Sequence, residues 1–165
     1  MYFEKAISNV AGTADTVDPI TLAAMIERVA DYVSEGMLAK SELQLRSIEP
    51  KLNQASVQDP KLRRIFTTKI AQILVLRGKY AEAIRYLTPP AGTDPKQVDR
   101  VNQRLLAWAI GKSGDFDRSD KLFQDILEAE RQHPGTPFLE IFARLYYADI
   151  LLDHGRFREA ADQAS

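Results

Sequence analysis

The sequence predicts an all-α chain built as a row of helix pairs, and three observations carry that prediction. No segment alternates apolar and polar residues over a useful length, so strands are not expected. Apolar residues recur instead at helical spacing, each run opened by an aspartate or threonine followed by proline and closed by a glycine. That pattern of cap, helix, glycine and second helix is written four times. An aspartate satisfies orphan N–H groups at a helix start, and proline fits the first turn, where no N–H is needed. Glycine accepts the left-handed backbone that ends a helix.

Residues 2–10 set Tyr2, Phe3, Ala6, Ile7 and Val10 at helical spacing, a short amphipathic piece, and the small, polar stretch 11–17 reads as a loop. Asp18-Pro19 opens the first pair, with Ile20, Ala23, Ile26, Ala30 and Val33 on one stripe up to Gly36. Its second helix runs from Leu38 to about Glu49, where Pro50 interrupts, which bounds a hairpin over 18–49. Asp59-Pro60 to Gly78, then Tyr80 to Leu87, form a second hairpin over 59–88. Pro89-Pro90-Ala91-Gly92 breaks the chain. Asp94-Pro95 starts a third over 94–132, turning at Gly114, and Thr136-Pro137 a fourth over 136–165, turning at Gly155.

The four units agree in register. From cap to glycine the distances are 18 (Asp18 to Gly36), 19 (Asp59 to Gly78), 20 (Asp94 to Gly114) and 19 (Thr136 to Gly155). Two residues after each glycine stand Leu38, Tyr80, Phe116 and Phe157, apolar anchors able to close a hairpin. Five after stand Ser41, Ala83, Ser119 and Ala160, and seven before stand Val29, Ala71, Ala107 and Ala148, small enough for close helix approach. Tyr32, Leu74, Ile110 and Leu151, four before, fill the seam. Constant first helices with variable connections are expected of stacked repeats.

Gly78-Lys79-Tyr80-Ala81-Glu82-Ala83-Ile84 and Gly155-Arg156-Phe157-Arg158-Glu159-Ala160 resemble the turn of the tetratricopeptide repeat, and Gly114-Asp115-Phe116 matches with Ser119 in place of alanine. The early aromatic of that family is replaced by Met25, Thr67, Gln103 and Arg144. The resemblance implies a right-handed superhelical stack, an α-solenoid of about 3.5–4 hairpins. It also implies an inner surface lined by the first helix of each pair, where peptides or folded partners bind. Counting 13, 10, 6 and 3 residues back from each glycine marks that face. It gives Ala23, Ile26, Ala30 and Val33; Ile65, Thr68, Gln72 and Val75; Val101, Arg104, Trp108 and Gly111; and Phe142, Leu145, Asp149 and Leu152. From the second unit onward, these side chains other than Gly111 are the candidate groove. The paired Lys and Asn with which some family members grip a terminal carboxylate are missing. Trp108 has two readings: a central anchor for a partner, or packing against the next repeat over Gly111.

Chemistry is sparse elsewhere. Net charge is −1 and pI near 6.1, so nucleic acid and anionic lipid are disfavoured. The absence of cysteine excludes disulfides, thiolate zinc sites and a cysteine nucleophile. His133 and His154 sit at helix ends, where a cation complements the dipole, and no zinc-helix, phosphate-loop or Gly-x-Ser-x-Gly pattern occurs. Asp149 and Asp153, four apart on one helix, read as an ordinary surface pair. Glu128, Glu130 and Arg131 read as ordinary surface too, and Arg63, Arg64, Lys69, Arg77, Lys79 and Arg85 read first as a solvated helix face, with a patch for an anionic partner as the alternative. Apolar runs such as Ile73–Leu76 are too short to span a bilayer, and the opening Met1-Tyr2-Phe3-Glu4-Lys5 lacks a secretory layout. A cytoplasmic setting is expected, or a periplasmic one if a leader has been removed.

The expected function is a non-catalytic protein–protein interaction scaffold, with no enzyme activity, cofactor or metal. It would hold an apolar or amphipathic segment of a protein or peptide partner. The alternative is a regulatory or structural module of a larger protein, for example a transcriptional regulator or a secretion or assembly component. There the groove would serve intramolecular docking or homo-oligomer formation. The short last helix, without a polar cap, leads us to expect a fragment of a longer protein.

Overall fold

The computed structural model describes residues 18–54, 59–89, 99–132 and 137–163. Among them lie eight helices and no strand, arranged as four sequential antiparallel pairs. Helices α1 (Pro19–Ser34) and α2 (Leu38–Leu52) form the first, α3 (Pro60–Leu76) and α4 (Tyr80–Leu87) the second. The third joins α5 (Arg100–Lys112) to α6 (Phe116–Gln132), and the fourth α7 (Pro137–Asp153) to α8 (Phe157–Gln163). The amphipathic piece over 2–10, the Asp94-Pro95 opening, His133 and Thr136 lie outside the described residues.

The aspartate caps form as their chemistry requires. Asp18 Oδ1 accepts from the N–H groups of Ile20 and Thr21, both at 3.0 Å, and Asp59 Oδ1 from Lys61 at 2.9 Å and Leu62 at 3.2 Å. The third pair starts later than expected. Its first helix is capped by Asp99, whose Oδ1 accepts from Val101 N–H at 2.7 Å. Asp99 offers the same capping oxygen five residues on, so α5 has 13 residues where α1 has 16 and α3 and α7 have 17 each.

All four glycines end their helices alike. Gly36, Gly78, Gly114 and Gly155 have φ of +74°, +72°, +100° and +70°, where a side chain would be strained. The N–H after each reaches back to the residue four before the glycine: Met37 to Tyr32, Lys79 to Leu74, Asp115 to Ile110 and Arg156 to Leu151, at 2.8–3.2 Å. One expected stop does not occur. Helix α2 passes through Pro50 to Leu52. Proline removes one backbone bond there, but Ile48 and Leu52 are both buried and hold the last turn against the core.

Beyond its own partner, each first helix packs on the first helix of the next pair, and each second helix on the first helix that follows it. No described helix packs its backbone closely on one further along the chain. The core follows this row, from Leu22, Ile26 and Leu45 through Ile70 and Leu74 to Ile110, Phe123, Ile150 and Leu151. Ser41, Ala83, Ser119 and Ala160 are buried where helices pair, and Ser119 Oγ donates to the Ala107 carbonyl at 2.8 Å. A Cβ on Gly111 would stand 2.7 Å from both Ile150 Cδ1 and Ser119 Oγ, so this glycine lets α5 touch α6 and α7 at one point.

Second helices reach one another through long side chains. Glu42, on α2, is nearly buried and accepts from Arg46, Lys79 and Arg77, while Arg46 also binds Glu82 on α4. The expected solvated face of basic residues is therefore largely committed: Arg77 and Lys79 to Glu42, Arg63 to Leu52 and Asn53, and Arg64 to Asp99. Glu130, expected at the surface, is buried and paired with Arg100.

Candidate functional site

The first helices α3, α5 and α7 lie side by side, and a cleft of about 300 Å³ opens across them. Thr68 and Gln72 from α3 form one wall, and Val101, Arg104 and Leu105 from α5 line the middle. Phe138, Leu139, Phe142 and Tyr146 from α7 form the other wall. Five of the candidate groove residues thus meet in one place: Thr68, Gln72, Val101, Arg104 and Phe142. Their spacing of three or four residues keeps them on one face of each helix, and the contact of first helix with first helix aligns those faces.

The remaining candidates fall elsewhere. Val75 is buried and Ile65 half-buried on α3. Trp108 is only 8% exposed; its ring lies flat on Tyr146, with centroids 4.6 Å apart, and its Nε1–H donates to Asp149 Oδ2 at 2.7 Å. Trp108 and Asp149 therefore tie α5 to α7, which favours the packing reading of the tryptophan over the anchor. Asp149 and Asp153 also share Lys112 Nζ at 2.8 and 2.7 Å. Burial opposes the Lys112 charge, but the two carboxylates outweigh it and raise its pKa. Leu145 and Leu152 stay about half exposed on α7, at helical spacing from the exposed Phe138 and Ile141. His154 Nδ1 lies 3.0 Å from the Ile150 carbonyl, at the C-terminal end of α7.

Four lining residues were not among the sequence candidates: Leu105, Phe138, Leu139 and Tyr146. Leu105 and Tyr146 each stand nine before their glycine, between the candidate offsets of 13 and 6, so the register contained that signal. Phe138 and Leu139 lie in the first turn of α7, beyond the counted positions.

Electrostatics centre on Arg104, which is 3% exposed. One of its terminal nitrogens, Nη1, donates to the Leu139 carbonyl, and its Nε has no hydrogen-bond partner. No carboxylate among the described residues pairs with it. Glu130 and Asp99 act on it at a distance, and each is already bound, to Arg100 and Arg64. Burial consequently lowers the Arg104 pKa, against the pull of Tyr146, Glu130 and Asp99. Tyr146 is raised by burial and opposed by the Arg104 charge. Thr68 donates to Asn102 Oδ1 at 2.8 Å, whereas the Gln72 amide and the Tyr146 hydroxyl make no hydrogen bond among the described residues.

Among the described residues no group of three or more His, Cys, Asp or Glu could hold a metal, and no helix is long and apolar enough to cross a membrane. No family model matches the chain, and no similar curated protein or solved structure is found.

Proposed function

We propose that the chain is a non-catalytic interaction scaffold that takes an apolar or amphipathic segment of a protein or peptide partner into the cleft across α3, α5 and α7. The supporting observation is the cleft itself, open, walled by Val101, Leu105, Phe138 and Phe142, and continuous with the exposed apolar side chains of α7. Four like hairpins, with contacts confined to near neighbours in the chain, support a right-handed superhelical stack of the tetratricopeptide kind, concave on the first-helix side. Panning a random peptide library on the immobilised chain tests the reading. Apolar or amphipathic peptides should be enriched, and their affinity should fall at least about tenfold on replacing Phe142 by aspartate. Phe142 is 45% exposed, so the fold should tolerate the change. Enriched peptides indifferent to Phe142→Asp would sink the idea.

The second reading, self-association as a module of a larger protein, rests on α7. Phe138, Ile141, Leu145 and Leu152 are 50–70% exposed and stand 3, 4 and 7 residues apart, the spacing of a helix–helix seam. Sedimentation that is concentration-dependent, and made monomeric by Leu145→Asp, would support it.

A further inference from the structure

We propose that the cleft recognises a carboxylate carried on an apolar body, with Arg104 as the group that binds the charge. This rests on the cleft being a binding site, as proposed above, and goes beyond it by assigning the ligand's charge and naming the residue that reads it.

Three observations converge. First, an arginine that is 3% exposed, with one bond to a carbonyl and a buried, empty Nε, is costly to keep without a counter-charge. A methionine or leucine there would fill similar space at no electrostatic cost. Second, the carboxylates around it are already used: Asp99 by Arg64, Glu130 by Arg100, and Asp149 by Trp108 and Lys112. None of them pairs with Arg104. Third, the other uncommitted polar groups on the lining, the Gln72 amide and the Tyr146 hydroxyl, can both donate hydrogen bonds. Donors around one cation, within walls of Val101, Leu105, Phe138, Leu139 and Phe142, suit an acceptor-rich anion with an apolar remainder. A phosphate or a dianion would bring charge that a single arginine does not match. About 300 Å³ admits a small acid or the last residue or two of a chain, not a folded surface.

The chemistry has two sources, a free small acid or the C-terminal carboxylate of an apolar segment, and the experiment separates them. Calorimetry on the intact chain compares phenylbutanoate with phenylbutanamide, and a short peptide ending in leucine and phenylalanine with its C-terminally amidated twin. At least one acid should bind about tenfold or more tightly than its amide, and Arg104→Met should abolish that preference. A preference confined to phenylbutanoate assigns a small acid, and one confined to the peptide assigns a chain terminus. Equal affinity of acid and amide, a preference that survives Arg104→Met, or no binding below about 10 mM overturns the proposal. Should Arg104→Met fail to fold, the acid-to-amide ratio on the unaltered chain decides alone. Peptide acid and amide binding equally, both weakened by Phe142→Asp, would overturn charge recognition and leave the scaffold reading standing. Phenylbutanoate alone binding, with no peptide enriched in panning, would do the reverse.

Discussion

Glu42 shows how much one side chain can carry. Offset 6 after Gly36 places it beside the small Ser41, in the seam between α2 and the second pair, where a lone carboxylate would be costly. Burial alone would raise its pKa. The bonds from Lys79 and Arg46, with the charges of Lys79 and Arg77, hold it at about 2 against 4.5 for a free glutamate. Its folded pKa is depressed, so its contribution is full above pH 4.5 and is lost as the pH falls through about 2. Glu42→Gln should cost about 2 kcal/mol at neutral pH, the scale of hydrogen bonds to a charged group. In urea unfolding, the gap between the two proteins should narrow from pH 6 to pH 3. A gap independent of pH would mean that the cluster acts through shape and not charge.

At the scale of the helix, two kinds of glycine do different work. Gly78 and its counterparts end helices, and their positive φ is the reason. Gly111 lies inside α5 with ordinary helical geometry, where glycine alone costs about 1 kcal/mol relative to alanine. Its use is the close approach to Ile150 and Ser119. Gly111→Ala should therefore destabilise despite its better propensity, by about 1–2 kcal/mol, because over-packing a dense core costs more than propensity returns. Thermal unfolding measures it, and an unchanged or higher midpoint would show that α7 can yield. Trp108, one turn earlier on α5, depends on that approach, for it lies flat on Tyr146 and reaches Asp149 only while the two helices stay close.

For the whole molecule, the stacked arrangement proposed above predicts that stability is a sum along the row, because the described helices pack on near neighbours in the chain. Leu45→Ala, at a fully buried site in the first pair, should cost about 3 kcal/mol. Hydrogen exchange should then rise first in α1 and α2, leaving α5 and α6 protected. Equal loss of protection in all four pairs would point to a single cooperative body. The same row places the cleft, which lies where α3, α5 and α7 run together.

Local chemistry was readable from the residues because it depends on close neighbours. Aspartate caps, the four glycine stops and the small residues at hairpin seams follow from spacing, and the structure places them as expected at Asp18, Asp59 and each turn. The cap at Asp99 was missed because no proline follows it, and the cap-and-proline pattern does not single it out. Pro50 was overruled because burial of Ile48 and Leu52 outweighs one missing bond. Periodicity named a face holding Arg104, Trp108 and Phe142 together, but not what each would meet. Which of them is sealed, which is exposed and which is left charged without a partner depends on how α7 settles on α5. That is a matter of side chains about 40 residues apart in the chain, from Trp108 to Asp149, and no local pattern encodes it.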